Sequence, residues 1–184
     1  GGGGAGERPA SAGSSGSSKG GAIDVFGDTM SLPKDVAAAD CVVVDVMKVM
    51  GLPKAFQSAK VNIELTFFDG SKHSSDEVAA KKGQAALTFK RHFNCAPGSP
   101  GAVALVKALG ETAERSASDL TFTVTDSRKG KTTPIGTAVV NVGDLIDTVS
   151  KDVTHHQAKI VDAAGKGAGE LVMGIKMWDI YQAL

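Results

Sequence analysis

The feature that most constrains this chain is a run of short apolar segments with period two, each cut off by Gly or Pro. Val42, Val44 and Val46 alternate in CVVVDVMKVM, and Val61, Ile63, Leu65 and Phe67 alternate in VNIELTFF, while Leu87, Phe89 and Phe93 share a face of ALTFKRHF. Further on, Leu120, Phe122 and Val124 alternate in LTFTV, and Ala138, Val140 and Val142 follow Pro134-Ile135-Gly136. HHQAKIVD reads as another strand, and ELVMGIKMWDI alternates Leu171, Met173, Ile175 and Met177. Successive strand residues point to opposite faces, so such a pattern buries one face and wets the other. Seven or eight of these segments at short spacing predict an all-β fold, an antiparallel β-sandwich of about eight strands.

One or two short connecting helices complete this reading. The first is PGAVALVKALGETAER, residues 100–115, where Val103, Val106 and Leu109 recur near helical spacing; the second is a single turn at GDLIDTVS. Residues 1–21 are mostly Gly and Ser with no large apolar side chain, too little to offset the entropy of ordering, so they predict a disordered linker. Residues 22–40 are then a connecting segment and 41–184 the folded domain. The chain opens on Gly1 and its first Met is Met30, so it is expected to be a fragment of a longer protein.

Composition removes several function classes. Lys plus Arg equals Asp plus Glu at 20 each, so no overall field favours nucleic acid, and any charge effect is local. No apolar run approaches the ~20 residues of a membrane span, and no signal-peptide pattern is present. Cys41 and Cys95 lack a CxxC arrangement and are expected to be buried free thiols, in keeping with a cytoplasmic setting. His155 and His156 are adjacent on a strand, so their side chains diverge and do not chelate one metal. No GxSxG elbow or HExxH pair organises the Ser, His and Asp residues, and GKT at Gly130–Thr132 has neither the preceding Gly nor the following helix of a phosphate loop. No enzyme activity, catalytic residue, metal or cofactor is expected.

The order strand, variable loop, PIGTAVVNVGDL, strand, Gly-rich turn and GELVMGIKM resembles a C2 domain, with Ile135-Gly136, Leu145 and Gly169-Glu170-Leu171 at corresponding places. VNIELTFF, TFKRHF, LTFTV, IGTAVVNVGDLI, KIVD and WDIYQAL, from about Val42 to Leu184, are similar in order to the C-terminal C2 domain of the retinitis pigmentosa GTPase regulator-interacting protein family of the ciliary transition zone. Other ciliary or centriolar C2 domains fit as well. The resemblance implies a cilium or basal-body location and a partner such as a propeller-type GTPase regulator.

Calcium-binding C2 domains offer several Asp carboxylates from their loops, because the ion takes six to eight oxygen ligands. Here the place of Asp-x-Asp reads Asp126-Ser127-Arg128, and KVMGLPKAFQSAK has no carboxylate. The chain is therefore expected to be a calcium-independent protein-interaction module. Its alternatives are an anionic-lipid-binding C2 domain, or a microtubule-associated one meeting the acidic face of tubulin. Arg128, Lys129 and Lys131 are the candidate contacts with a partner or lipid, against the alternative of a solvated loop that is basic by chance. Trp178 and Tyr181 are candidate interface anchors, against a tail strand that packs its own aromatics.

Overall fold

The computed structural model describes residues 35–184 apart from Ser150, so the predicted linker and most of the connecting segment lie outside the described residues. Its strands are β1 (Cys41–Met50), β2 (Lys60–Thr66), β3 (Lys72–Ser74), β4 (Val78–Ala79), β5 (Ala85–Asn94), β6 (Asp119–Asp126), β7 (Thr133–Asn141), β8 (Val153–Val161) and β9 (Gly167–Lys176). Three short helices join them: α1 (Pro100–Leu109), α2 (Val142–Val149) and α3 (Trp178–Gln182). Every strand pair is antiparallel. Hydrogen bonds run through the order β3-β2-β6-β7-β8-β9-β1-β5, with β4 also on β2.

That path is folded into two layers. β7 and β8 meet only at Thr137 opposite Val161 and Ala138 opposite Ile160, a narrow seam. Phe67, just past β2, stacks on Phe93 of β5 with ring centroids 4.0 Å apart, although the two strands stand near opposite ends of the order. His73 of β3 meets the same Phe93 ring edge-on. Between the layers lie Phe122, Ile63, Leu65, Leu120, Ile160, Leu171 and Met173, all essentially inaccessible. Both β2 and β6 alternate buried and half-buried positions as their sequences require. In β1 the residues facing away from this core are buried as well, so Cys41–Val44 is continuously covered.

Gly136 shows why the seam is narrow. A Cβ there would lie 2.7 Å from Ile160 Cγ2 and 2.7 Å from the Val161 carbonyl oxygen, and the carbonyl cannot swing aside as a side chain does. Gly136→Ala is expected to cost about 1–3 kcal/mol through overpacking. Urea unfolding would show this as a lower midpoint at unchanged slope.

The helices depart from the sequence expectation in three ways. α1 ends at Leu109 rather than continuing to 115, and it buries Gly101, Ala102, Leu105 and Ala108, not the stripe of Val103 and Val106. Its start is well specified: Ser99 caps the Ala102 N–H at 3.2 Å, and Pro100 stands at the first helical position. Residues 143–149 of GDLIDTVS lie in an eight-residue helix, not one turn, and Asn141 Oδ1 accepts the Asp144 N–H at 2.9 Å at its entrance. The last strand stops at Lys176, where Asp152 Oδ1 accepts the N–H groups of Met177 and Trp178, each at 2.8 Å, and turns the chain into α3. Among the described residues no helix is long and apolar enough to cross a membrane.

Candidate functional site

Four loops lie at one end of the sandwich, residues 51–59, 80–84, 127–132 and 162–166, and three of them are tied together by hydrogen bonds. The Leu52 N–H donates to the Gly83 carbonyl and the Gly83 N–H donates to Gln57, which joins the first loop to the second. Gln57 Nε2 donates to the Leu52 carbonyl at 2.6 Å and closes the first loop on itself. The Ser127 N–H donates to the Lys60 carbonyl at 2.9 Å, bringing in the third loop.

Arg128 completes the joint between the first and third loops. Its Nε donates to Asp126 Oδ2 at 2.8 Å and its terminal nitrogen donates to the Ala55 carbonyl at 2.9 Å. The Asp126 side chain is 6% exposed, and its Oδ1 also accepts the N–H groups of Lys60 and Arg128. Burial alone would raise the Asp126 carboxyl; the Arg128 side-chain bond, the two backbone N–H groups and the guanidinium charge outweigh it and hold the group below the usual carboxylate range. The Asp126 carboxylate, at the end of β6 where the first and third loops meet, is thus already paired with a cation belonging to the chain. Arg128, a sequence candidate for partner or lipid contact, is thus paired within the chain while its side chain remains 40% exposed.

Lys129 and Lys131 do stand exposed, and the tertiary structure adds three residues to them. Lys54 in the first loop and Lys81 and Lys82 in the second are exposed at the same end. None of the five takes part in an ion pair among the described residues, whereas Lys60 nearby is paired with Glu77 at 3.4 Å. Segments 51–59, 80–84 and 127–132 contain no Asp or Glu. The fourth loop is balanced: Asp162 accepts the N–H groups of Ala164 and Lys166 within its own turn, and Lys166 is exposed.

Two of the five lysines crown their turns in the left-handed conformation. Lys82 has φ 52 and is followed by Gly83 at φ 79, the two-residue turn of a tight hairpin closed by Lys81 and Gln84; Lys129 has φ 59 and precedes Gly130 at φ 70. A long side chain there costs roughly 1–2 kcal/mol that Gly would not, so the two ammonium groups are held at the apices against local preference.

The other candidate residues lie elsewhere. Trp178 and Tyr181 are on α3, not on a strand; their rings meet at 5.7 Å and both are half-buried against the core. His155 is exposed and His156 half-buried on β8, and among the described residues no three His, Cys, Asp or Glu side chains gather as metal ligands. Cys41 and Cys95 are free and buried, and desolvation pushes both thiols up to about 11.

No protein-family model matches the chain, and no curated protein does. Among solved structures it superimposes on a C2 domain-containing protein from a putative elicitor-responsive gene at TM-score 0.52 with 13% identity, over 74% of this chain and 86% of that one. It also superimposes at TM-score 0.59 and 13% identity on CC2D1B, which coordinates ESCRT-III activity during mitotic reformation of the nuclear envelope. That match covers 78% of this chain and 56% of the other, so this chain corresponds to little more than half of that one. The fold is that of a C2 domain. The likeness is to C2 domains at large and does not single out the ciliary family. In this C2-like fold the end that holds the Asp126–Arg128 pair also carries five exposed lysines on its loops.

Proposed function

We propose that this chain is a calcium-independent C2 interaction module that docks its loop end on an anionic membrane surface. The observation that carries the reading is the convergence of Lys54, Lys81, Lys82, Lys129 and Lys131 around a seat where Arg128 already provides the positive charge. A divalent cation beside Asp126 would have to displace that guanidinium and would find too few other carboxylates to complete its shell. Fixed lysines need no such ion: each contributes about 1 kcal/mol near an anionic surface. This is a binding role, with no chemistry assigned to any residue. A second reading, a protein-interaction role in a ciliary or basal-body assembly, draws on the segment resemblance from Val42 to Leu184 and on an apolar groove at the opposite end of the domain.

The test is sedimentation of the full chain with phosphatidylserine-containing and phosphatidylcholine-only vesicles, in calcium and in chelator. Binding is expected only to the anionic vesicles, equally with and without calcium, and weakening as salt is raised. Calcium should also leave the melting temperature unmoved, since a ligand of the native state would raise it. A calcium-dependent rise in either measurement overturns the calcium-independent reading. Failure to bind anionic vesicles at low salt, with or without binding to polymerised tubulin, overturns the membrane reading.

A further inference from the structure

At the end opposite the lysines, α1 and α3 form the walls of an open groove of about 440 Å3. Val103 and Val106, one helical turn apart, project from α1; Ile180 of α3 and the following Ala183 and Leu184 face them. Val103 is 60% exposed, Val106 50% and Leu184 50%, so among the described residues three large apolar side chains lie unpartnered around one depression. Burying them would recover about 25 cal/mol for each Å2 of apolar surface removed from water. The Val103–Val106 spacing on α1 is that of a helix ridge, and the groove beside such a ridge takes the apolar stripe of another helix.

Charge decides which kind of helix fits. Asp40 and Asp179 line the same groove, and neither is in an ion pair among the described residues. An occupant with cations beside its apolar stripe meets complementary charge, while an acidic one meets repulsion. The chain's own upstream residues 22–34 offer apolar side chains but carry Asp24 and Asp28 against the single Lys34, the wrong sign for this rim. We infer that the groove between α1 and α3 binds a basic amphipathic helix of a partner protein, its apolar residues between Val103, Val106 and Leu184 and its cations against Asp40 and Asp179. Because the lysine-rich loops lie at the other end, the domain can hold this helix and a membrane at once.

The experiment is methyl NMR on the full chain with two synthetic helical peptides as probes, one of Leu and Lys with Leu at positions i, i+3, i+4 and i+7, the other with Glu replacing every Lys. The Leu/Lys peptide is expected to shift the methyl signals of Val103, Val106 and Leu184 and to leave those of Val139 and Val161, exposed on a different face, unmoved. Val103→Lys with Val106→Lys should weaken binding by about tenfold or more, the scale of losing central apolar anchors. Asp40→Asn with Asp179→Asn should weaken it by about fivefold at low salt and less at high salt. Equal binding of the Leu/Glu peptide, or shifts centred on Val139 and Val161, overturns the proposal. So does contact of Ile23 or Leu32 with Val106 in the free chain, or a concentration-dependent dimer that buries the groove. Shift mapping on the unsubstituted protein keeps the test decisive if a double variant fails to fold.

Discussion

Replacing Lys54, Lys81, Lys82, Lys129 and Lys131 together by Ser is expected to lower partitioning of the domain onto phosphatidylserine-containing vesicles by roughly a thousandfold at low salt. Five lysines at about 1 kcal/mol each give an upper figure near 5 kcal/mol, and each 1.4 kcal/mol is a factor of ten. Not every ammonium group will reach the surface equally, which brings the expectation slightly below that ceiling. Stability should move little, because all five side chains are exposed and outside ion pairs among the described residues. Lys82→Gly and Lys129→Gly alone are compatible with a small gain in stability, since both backbones are left-handed. The decisive comparison is with a control that replaces five exposed lysines elsewhere. If both sets lower vesicle binding equally, the loop end has no special role and the effect is one of net charge.

Asp126→Ala is expected to destabilise the domain by about 2–3 kcal/mol, measured by urea unfolding at neutral pH. The substitution leaves the part-buried Lys60 N–H without its acceptor and removes the carboxylate that holds the Arg128 guanidinium across to Ala55. Removing one partner of a buried pair costs more than the pair is worth, but Arg128 is 40% exposed and can recover water, which places the figure below the largest such losses. The pH dependence has a definite sign. The carboxyl is held below its unfolded value, so its contribution is fully present above about pH 4 and is lost as pH falls through the folded value. The difference between the native chain and Asp126→Ala should therefore narrow as pH falls below the unfolded carboxyl range and through the lowered folded value, where the native carboxylate takes up its proton. A difference that stays constant on acidification would show that the ion pair contributes nothing and that only the neutral hydrogen bonds matter.

Much of the architecture is legible in the order of residues, because strand burial has a period of two and each strand carries its own pattern. The apolar residues of VNIELTFF and LTFTV lie on the core face as their alternation requires, and Ser99-Pro100 marks the start of α1 by capping chemistry that needs no distant partner. Asp126-Ser127-Arg128 likewise shows in the sequence that an arginine stands two residues after the aspartate.

What sequence could not decide are the matters that depend on which surfaces meet. α1 carries two apolar stripes one position apart. The packing selects Ala102, Leu105 and Ala108 because small residues let the helix come close, with Gly101 against the Asn94 carbonyl where a Cβ has no room, and this leaves Val103 and Val106 in solvent. WDIYQAL reads on from a strand, yet Trp178–Gln182 is helical, and Asp152, more than twenty residues earlier, accepts the Met177 and Trp178 N–H groups at its start. The lysines of the loop end show the same limit. Lys54, Lys81, Lys82, Lys129 and Lys131 are spread over nearly eighty residues of chain, and only the antiparallel return of each strand puts their turns at one end. The fate of Arg128 was also a tertiary matter: its partner Asp126 is local, but the Ala55 carbonyl that fixes its far side is 73 residues away. Local sequence determines the propensity and the cap; the long-range closure of the sandwich determines which charges pair inside and which stay exposed at the loop end.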